Sequence, residues 1–174
     1  MHYAITGGIA SGKSWFCSKL QHHGNEVYSC DEAAKRIIRT NTTVKQLLTS
    51  IVGEVLYDQQ GNLQKRILAN FITTSAQNAA QINAVVHPLV AADYCQWRDN
   101  QSTQHTFMEC ALLYESGFDR LVDRVILIYA NEATRLQRLM KRDNISLEQA
   151  RAWLTLQMPE EEKRQRADII IYNE

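Results

Sequence analysis

No charge of one sign dominates this sequence: 19 Lys and Arg offset 19 Asp and Glu, so the net charge is zero. A protein that binds nucleic acid or an anionic membrane normally carries a basic footprint, so neither is expected as a partner. Paired cysteines are also lacking. Cys17, Cys30, Cys95 and Cys110 are scattered, with no C-x-x-C and no metal-type histidine cluster near them. That excludes a zinc site or a disulfide framework and suits reduced thiols. Cys30 and Cys110 fall in apolar, strand-like runs, where a free cysteine behaves as a small core residue. His22-His23, just before Gly24, reads as a solvated helix end. No apolar run reaches membrane-spanning length and no leader pattern stands at the start, so a soluble, cytoplasmic protein is expected. Repeats and low-complexity linkers are missing too. A chain of 174 residues fits one ordinary domain with a large core.

What the sequence does contain is a complete G-x-x-x-x-G-K-[ST] pattern, Gly7 to Ser14, reading GGIASGKS. An apolar strand-like stretch, His2 to Thr6, precedes it, and a helix-forming run from Trp15 to Leu20 follows. A strand-to-helix turn is the context this motif requires. Its glycines let backbone N–H groups crowd around phosphate oxygens, and the helix N-terminus adds partial positive charge. Gly8, Ile9, Ala10, Ser11, Gly12, Lys13, Ser14 and Trp15 are therefore the expected nucleotide-binding residues. Lys13 is placed to reach the β- and γ-phosphates, and the Ser14 hydroxyl to ligate Mg²⁺.

Strand-like segments near residues 2–6, 26–30, 106–112, 124–130 and 168–172 alternate with helical patterns at 13–23, 31–40, 43–52, 63–73, 76–84, 88–100, 131–142, 146–157 and 160–166. The alternation predicts an α/β fold with a parallel sheet of five strands covered on both faces. The expected fold class is the three-layer P-loop NTPase fold with a helical substrate-binding insertion and a helical lid. The core would take residues of about 1–31, 104–131 and 167–174, the helical acceptor lobe about 32–103, and the lid about 132–166.

The lid segment is rich in Arg and Lys. Arg138 and Arg142 stand at i and i+4, so both leave one helix face. They read either as a solvated, salt-bridged surface or as an arginine clamp that neutralises a transferring phosphoryl group and excludes water. Arg142 is the first candidate for that clamp, with Arg138 second. Two carboxylates follow strand-like runs, where reacting groups gather in parallel sheets. Asp31, after Val27-Tyr28-Ser29-Cys30, reads either as a first-turn carboxylate of the next helix or as the general base for an acceptor hydroxyl. Glu109 interrupts Phe107 to Leu113 and needs a cation or strong donor if buried. Mg²⁺ held through water, or Lys13, would supply it. Glu115 is a further, less specific candidate.

With these residues located, the chain resembles the dephospho-coenzyme A kinase family along nearly its whole length. The motifs that carry the resemblance are Thr6 to Ser14 (TGGIASGKS), Ser29 to Lys35, Leu63-Gln64-Lys65-Arg66-Ile67-Leu68, His87-Pro88-Leu89 and Ala111 to Glu115. Arg138 through Asp143 follows, then Gln157-Met158-Pro159, Lys163-Arg164, Ala167-Asp168, Ile171 and Asn173. The resemblance implies ATP-dependent phosphorylation of the ribose 3′-hydroxyl of dephospho-coenzyme A, the last step of coenzyme A synthesis. It makes ATP and Mg²⁺ the cofactors and dephospho-coenzyme A the small-molecule partner of a monomer or weak homo-oligomer. Asp31 would be the catalytic base, and the helical insertion, with Lys65 and His87 (and Arg66 beside Lys65), would meet the acceptor. The chain departs from the family at Trp15, where Thr is usual, at Ser29 and at Ala111. Two other readings stand beside this one: another small-molecule or nucleotide kinase of the same architecture, and a nucleotide-binding regulatory module without transfer activity.

Overall fold

The computed structural model describes residues 1–174. In chain order the elements are β1 (His2–Thr6), α1 (Lys13–His22), β2 (Val27–Ser29), α2 (Cys30–Thr40), α3 (Thr42–Val52), α4 (Lys65–Thr74), α5 (Ala76–Asp99), β3 (Thr106–Glu109), β4 (Arg124–Tyr129), α6 (Glu132–Asp143), α7 (Leu147–Leu154), α8 (Glu160–Arg166) and β5 (Ile169–Tyr172). The chain divides into two units, Met1–Ser29 with Trp97–Glu174, and Cys30–Gln96.

The first unit holds a five-stranded sheet in the order β2-β3-β1-β4-β5, with every pairing parallel. β1 lies at its centre because its Ala4-Ile5-Thr6 run is buried on both faces, the pattern of an interior parallel strand. β4 is buried likewise from Val125 to Ile128. Each fully buried Ile or Leu contributes about 1.5–3 kcal/mol of apolar transfer, so these strands fix the centre of the sheet. The chain turns to one side of β1 for β2 and β3 and to the other for β4 and β5. The crevice of such a sheet opens at the carboxyl ends of the strands beside that reversal. The loop after β1 sits there.

β3 is shorter than the apolar run predicts and ends at Glu109. Cys110 still donates its N–H to Ile5 O, but the chain then turns through Ser116→Leu112 and Gly117→Tyr114 backbone bonds. Leu113 and Phe118 are buried there. Their apolarity fills the core from a turn, not from a strand. β5 is one of the two sheet edges, and its Ile169 and Tyr172 are exposed. Between β4 and β5, α6 and α7 pack through Leu136, Leu139 and Ala150.

The second unit is helical. On α2, Cys30, Ala33, Ile37 and Ile38 are buried, the i, i+3, i+7 stripe of an amphipathic helix. Cys30 thus opens this helix and does not end β2. α3 is capped by Asn41, whose Oδ1 accepts from Val44 N–H at 3.0 Å. One correction concerns α5, where two helices, at 76–84 and 88–100, were expected. A single helix of 24 residues runs straight through Pro88. Proline removes the N–H that would bond the carbonyl four residues back. The buried stripe Ile82, Val86, Val90 and Tyr94 continues unbroken past it, and that packing outweighs the lost bond. No helix is long and apolar enough to cross a membrane.

Candidate active site

The loop between β1 and α1 is a tight turn that runs directly into the helix. Ser11 N–H bonds Gly8 O at 3.1 Å, which closes a tight turn with Ile9 and Ala10 at its tip. Ala10 takes the left-handed conformation, φ 62, which costs a residue with a Cβ about 1–2 kcal/mol. Gly12 follows at φ 99 and forms the N-cap of α1 without any side-chain cap. α3, α6 and α7 are capped instead by Asn41, Asn131 and Ser146. No side-chain cap from Gly12 therefore covers the start of α1, where the positive end of the helix dipole lies. The helix itself carries no acidic residue in that first turn.

Gly12 is required on two counts. Its φ suits glycine, and a Cβ added to it would collide with the Asn173 side chain. Asn173 follows β5 and donates Nδ2–H to Ser11 O at 2.8 Å. Gly12→Ala is accordingly expected to lower stability by about 1–2 kcal/mol and to weaken nucleotide binding at least tenfold. Thermal denaturation with and without MgADP checks both; a variant whose melting temperature rises with MgADP as far as the parent's does would contradict it.

Lys13 folds back on the loop, donating Nζ–H to Gly7 O at 2.8 Å and to Gly8 O at 3.5 Å. Both acceptors are backbone carbonyls, so the ammonium carries no neutralising side chain in those bonds. Ser14 is exposed and donates Oγ–H to Glu109 Oε1 at 3.2 Å. Glu109 lies opposite Ile5 in the β1–β3 register, so the sheet itself delivers a carboxylate to the serine of the loop. A hydroxyl and a carboxylate oxygen form a hard donor set suited to Mg²⁺. Behind them Cys17 is buried in the core, and its thiol is pushed up to about 12, mainly by burial and further by the Glu109 carboxylate. It is an inert packing residue at neutral pH.

The arginines of α6 take different places. Arg138 donates Nη1–H to Asn173 O at 2.9 Å, which ties α6 to the residue that bonds Ser11. Arg142 grips its neighbour Asp143 at both carboxylate oxygens, 2.8 and 2.9 Å, and that guanidinium holds the Asp143 carboxyl below its usual range. The structure does not bring Arg142 to the loop. The arginine that does reach it is Arg135, on the buried stripe of α6 with Leu136 and Leu139. Its Nη1 stands where a Gly8 Cβ would be. Trp15 is 61% exposed, with Lys19 Nζ over its ring at 5.5 Å. Glu115 Oε1 accepts from Met158 N–H at 2.8 Å and serves the backbone of the α7–α8 connection.

In the helical unit, Asp31 is an exposed first-turn residue of α2, two positions beyond the last residue of β2. Lys65, the first residue of α4, lines a cleft of about 380 Å³ together with Glu32, Lys35, Arg39, Leu68 and Ile72, and Lys35 is paired with Glu32 at 2.6 Å. Cations around an apolar floor suit a ligand with both a phosphate and an alkyl portion. His87 is half-buried on α5, one residue before Pro88. Burial pushes its imidazole down from the ordinary value, so it is neutral at pH 7.

Comparison with known proteins places the whole chain. The family model described as dephospho-CoA kinase (CoaE) matches residues 1–174. A dephospho-CoA kinase of Bacteroides fragilis is 37% identical over 171 residues, covering 98% of this chain and 83% of that protein. The crystal structure of TT1252 from Thermus thermophilus superposes with a TM-score of 0.86 at 30% identity, covering 100% of this chain and 88% of that one. The dephospho-CoA kinase structure from Campylobacter jejuni gives 0.70 at 29% identity, with 99% and 87% covered. The parallel sheet, the uncapped phosphate-binding loop and a full-length family match agree: this chain belongs to the dephospho-CoA kinase family.

Proposed function

We propose that this protein transfers the γ-phosphoryl group of ATP to the ribose 3′-hydroxyl of dephospho-coenzyme A, giving coenzyme A and ADP. The observation that carries the reading is the open N-terminus of α1, with Lys13 in reach and the Ser14–Glu109 pair beside it, in a chain matched end to end by the family. In the transfer, the acceptor oxygen bonds to the γ-phosphorus and the bond to the β–γ bridging oxygen breaks. Asp31 takes the hydroxyl proton as general base. Lys13 leaves the Gly7 and Gly8 carbonyls for the β- and γ-phosphate oxygens and offsets their charge. Such a reaction depends on alignment and charge neutralisation more than on covalent help from the protein. Ser14 and Glu109 would hold Mg²⁺, directly or through water; when bound, the ion screens the phosphate charge. Arg138 and Trp15 complete the nucleotide side, and Arg142 belongs to the lid.

The acceptor is assigned to the helical unit, with Lys65 in the basic, apolar-floored cleft and His87 nearby in sequence to Pro88. His87 acts by shape and hydrogen bonding in this reading, since a neutral imidazole brings no charge to the acceptor phosphates. The enzyme works in the cytoplasm on small molecules, as a monomer or weak homo-oligomer.

The test is direct. Incubation with MgATP and dephospho-coenzyme A is expected to yield ADP and coenzyme A in equal amounts, while nucleoside monophosphates and simple alcohols leave ATP consumption at background. Hydrolysis of ATP at one rate with or without acceptor would favour a regulatory nucleotide-binding module instead.

A further inference from the structure

The tip of the phosphate-binding loop is held from outside, by a segment that carries no part of the motif. Ile9 N–H donates to Gln157 Oε1 at 2.8 Å, and Gln157 lies in the connection between α7 and α8. The side chains of Ile9 and Ala10 pack on the Leu136, Leu139 and Ala150 cluster of α6 and α7. We infer that Gln157 is a positioning residue that sets the loop wall beside the terminal phosphate, and so sets the preference for ATP over ADP. The inference rests on the kinase reading above and adds to it a residue outside the motif.

Three observations support it. First, the chain that follows Gln157 is held in place. Met158 N–H, the next donor along the chain, is fixed by Glu115 Oε1 at 2.8 Å. Glu160, three residues on, sits in a buried charge cluster, with Lys163 Nζ at 3.4 Å and Arg135 Nη1 at 3.9 Å. Lys163 is 0% exposed and finds no hydrogen-bond acceptor, so its charge depends on Glu160 remaining in place. A segment held by its neighbours can impose geometry on what it touches. Second, the cluster abuts the loop. A Cβ on Gly8 would meet Arg135 Nη1 and stand 2.6 Å from Glu160 Oε1. The absence of that carbon lets the cluster press against the loop one residue before the Gln157 bond. Third, the held turn is the part that Lys13 touches. Its Nζ rests on Gly7 O and Gly8 O, and this lysine is the group that reaches the β- and γ-phosphates. The inner phosphates meet the first turn of α1 instead, which Gln157 does not contact. Releasing Ile9 N–H therefore loosens the loop at its outer end first.

Gln157→Met keeps the length and bulk of the side chain and removes the acceptor; Gln157→Ala removes both. Gln157 is only half-buried, so both variants should fold, which circular dichroism and thermal denaturation verify. Calorimetric titration with MgATP and with MgADP then reads the effect. The expected result is ATP affinity about tenfold weaker with ADP affinity within twofold of the parent. The KM for ATP rises in parallel, and the KM for the acceptor stays unchanged. Equal weakening of both nucleotides would mark a general structural role and overturn the inference, as would no change in either. The binding measurements need no acceptor, so a parent protein that binds ATP yet fails to transfer to dephospho-coenzyme A would remove the proposed function and leave this result readable.

Discussion

Lys13→Ala is expected to lower kcat/KM by about 10³-fold, the effect of deleting one preorganised charge that meets developing negative charge. The size follows from what the lysine does before nucleotide arrives. Its bonds to the Gly7 and Gly8 carbonyls are to neutral acceptors, which it can give up for phosphate oxygens. The same bonds limit the collateral damage. Losing the two costs about 1–3 kcal/mol of stability, so the variant should remain folded, and ATP binding should weaken less than turnover falls. A coupled ADP-release assay, with calorimetric binding of MgATP, separates the two quantities. Turnover within fivefold of the parent would remove Lys13 from the transfer step.

Asp31→Asn carries the second large effect. The substitution keeps the shape of an exposed first-turn residue and removes its capacity to accept a full proton. The expected fall in kcat is about 10²–10⁴-fold, the usual contribution of a general base. ATP affinity should stay within twofold, because the phosphate-binding loop contains no part of α2. Losing the negative charge near a helix N-terminus costs only about 0.3–1 kcal/mol, so instability cannot imitate the result. Single-turnover measurement of coenzyme A formation at saturating acceptor is the decisive readout. An Asp31→Asn enzyme with parental rate would show that another group, or water, takes the proton.

Much of this architecture is legible in local sequence because its signals are local. The pattern from Gly7 to Ser14 specifies a turn between a strand and a helix, and both elements occur where expected. The edges of elements are less legible. The run from Phe107 to Leu113 is apolar apart from Glu109, yet strand pairing stops at Glu109, since burial in a turn needs the same side chains as burial in a sheet. Pro88 signals a boundary, but the stripe four residues apart on α5 carries the helix across it. Among the lid arginines, spacing drew attention to Arg138 and Arg142, while Arg135 is the one buried against the loop. A signal for it existed: Arg135 lies on the same face as Leu136 and Leu139, so the apolar stripe of α6 contains a charge that must find a partner. That partner, Glu160, lies 25 positions on, and no local pattern connects the two. Gln157 stands out in the sequence only as part of the Gln157-Met158-Pro159 motif, and its bond to Ile9, 148 positions back, has no local signal either.

The bond from Asn173 to Ser11 spans 162 positions, and it has a consequence for how the protein is made. During synthesis the glycine-rich loop leaves the ribosome with β1, ahead of every other strand of the sheet. The strands that flank β1 arrive more than a hundred residues later, and the asparagine that pins the loop carbonyl arrives after them. A growing chain thus carries the full motif long before it has the means to shape it. Nascent and truncated chains should therefore be poor competitors for cellular ATP, and nucleotide binding becomes a report that β5 has docked.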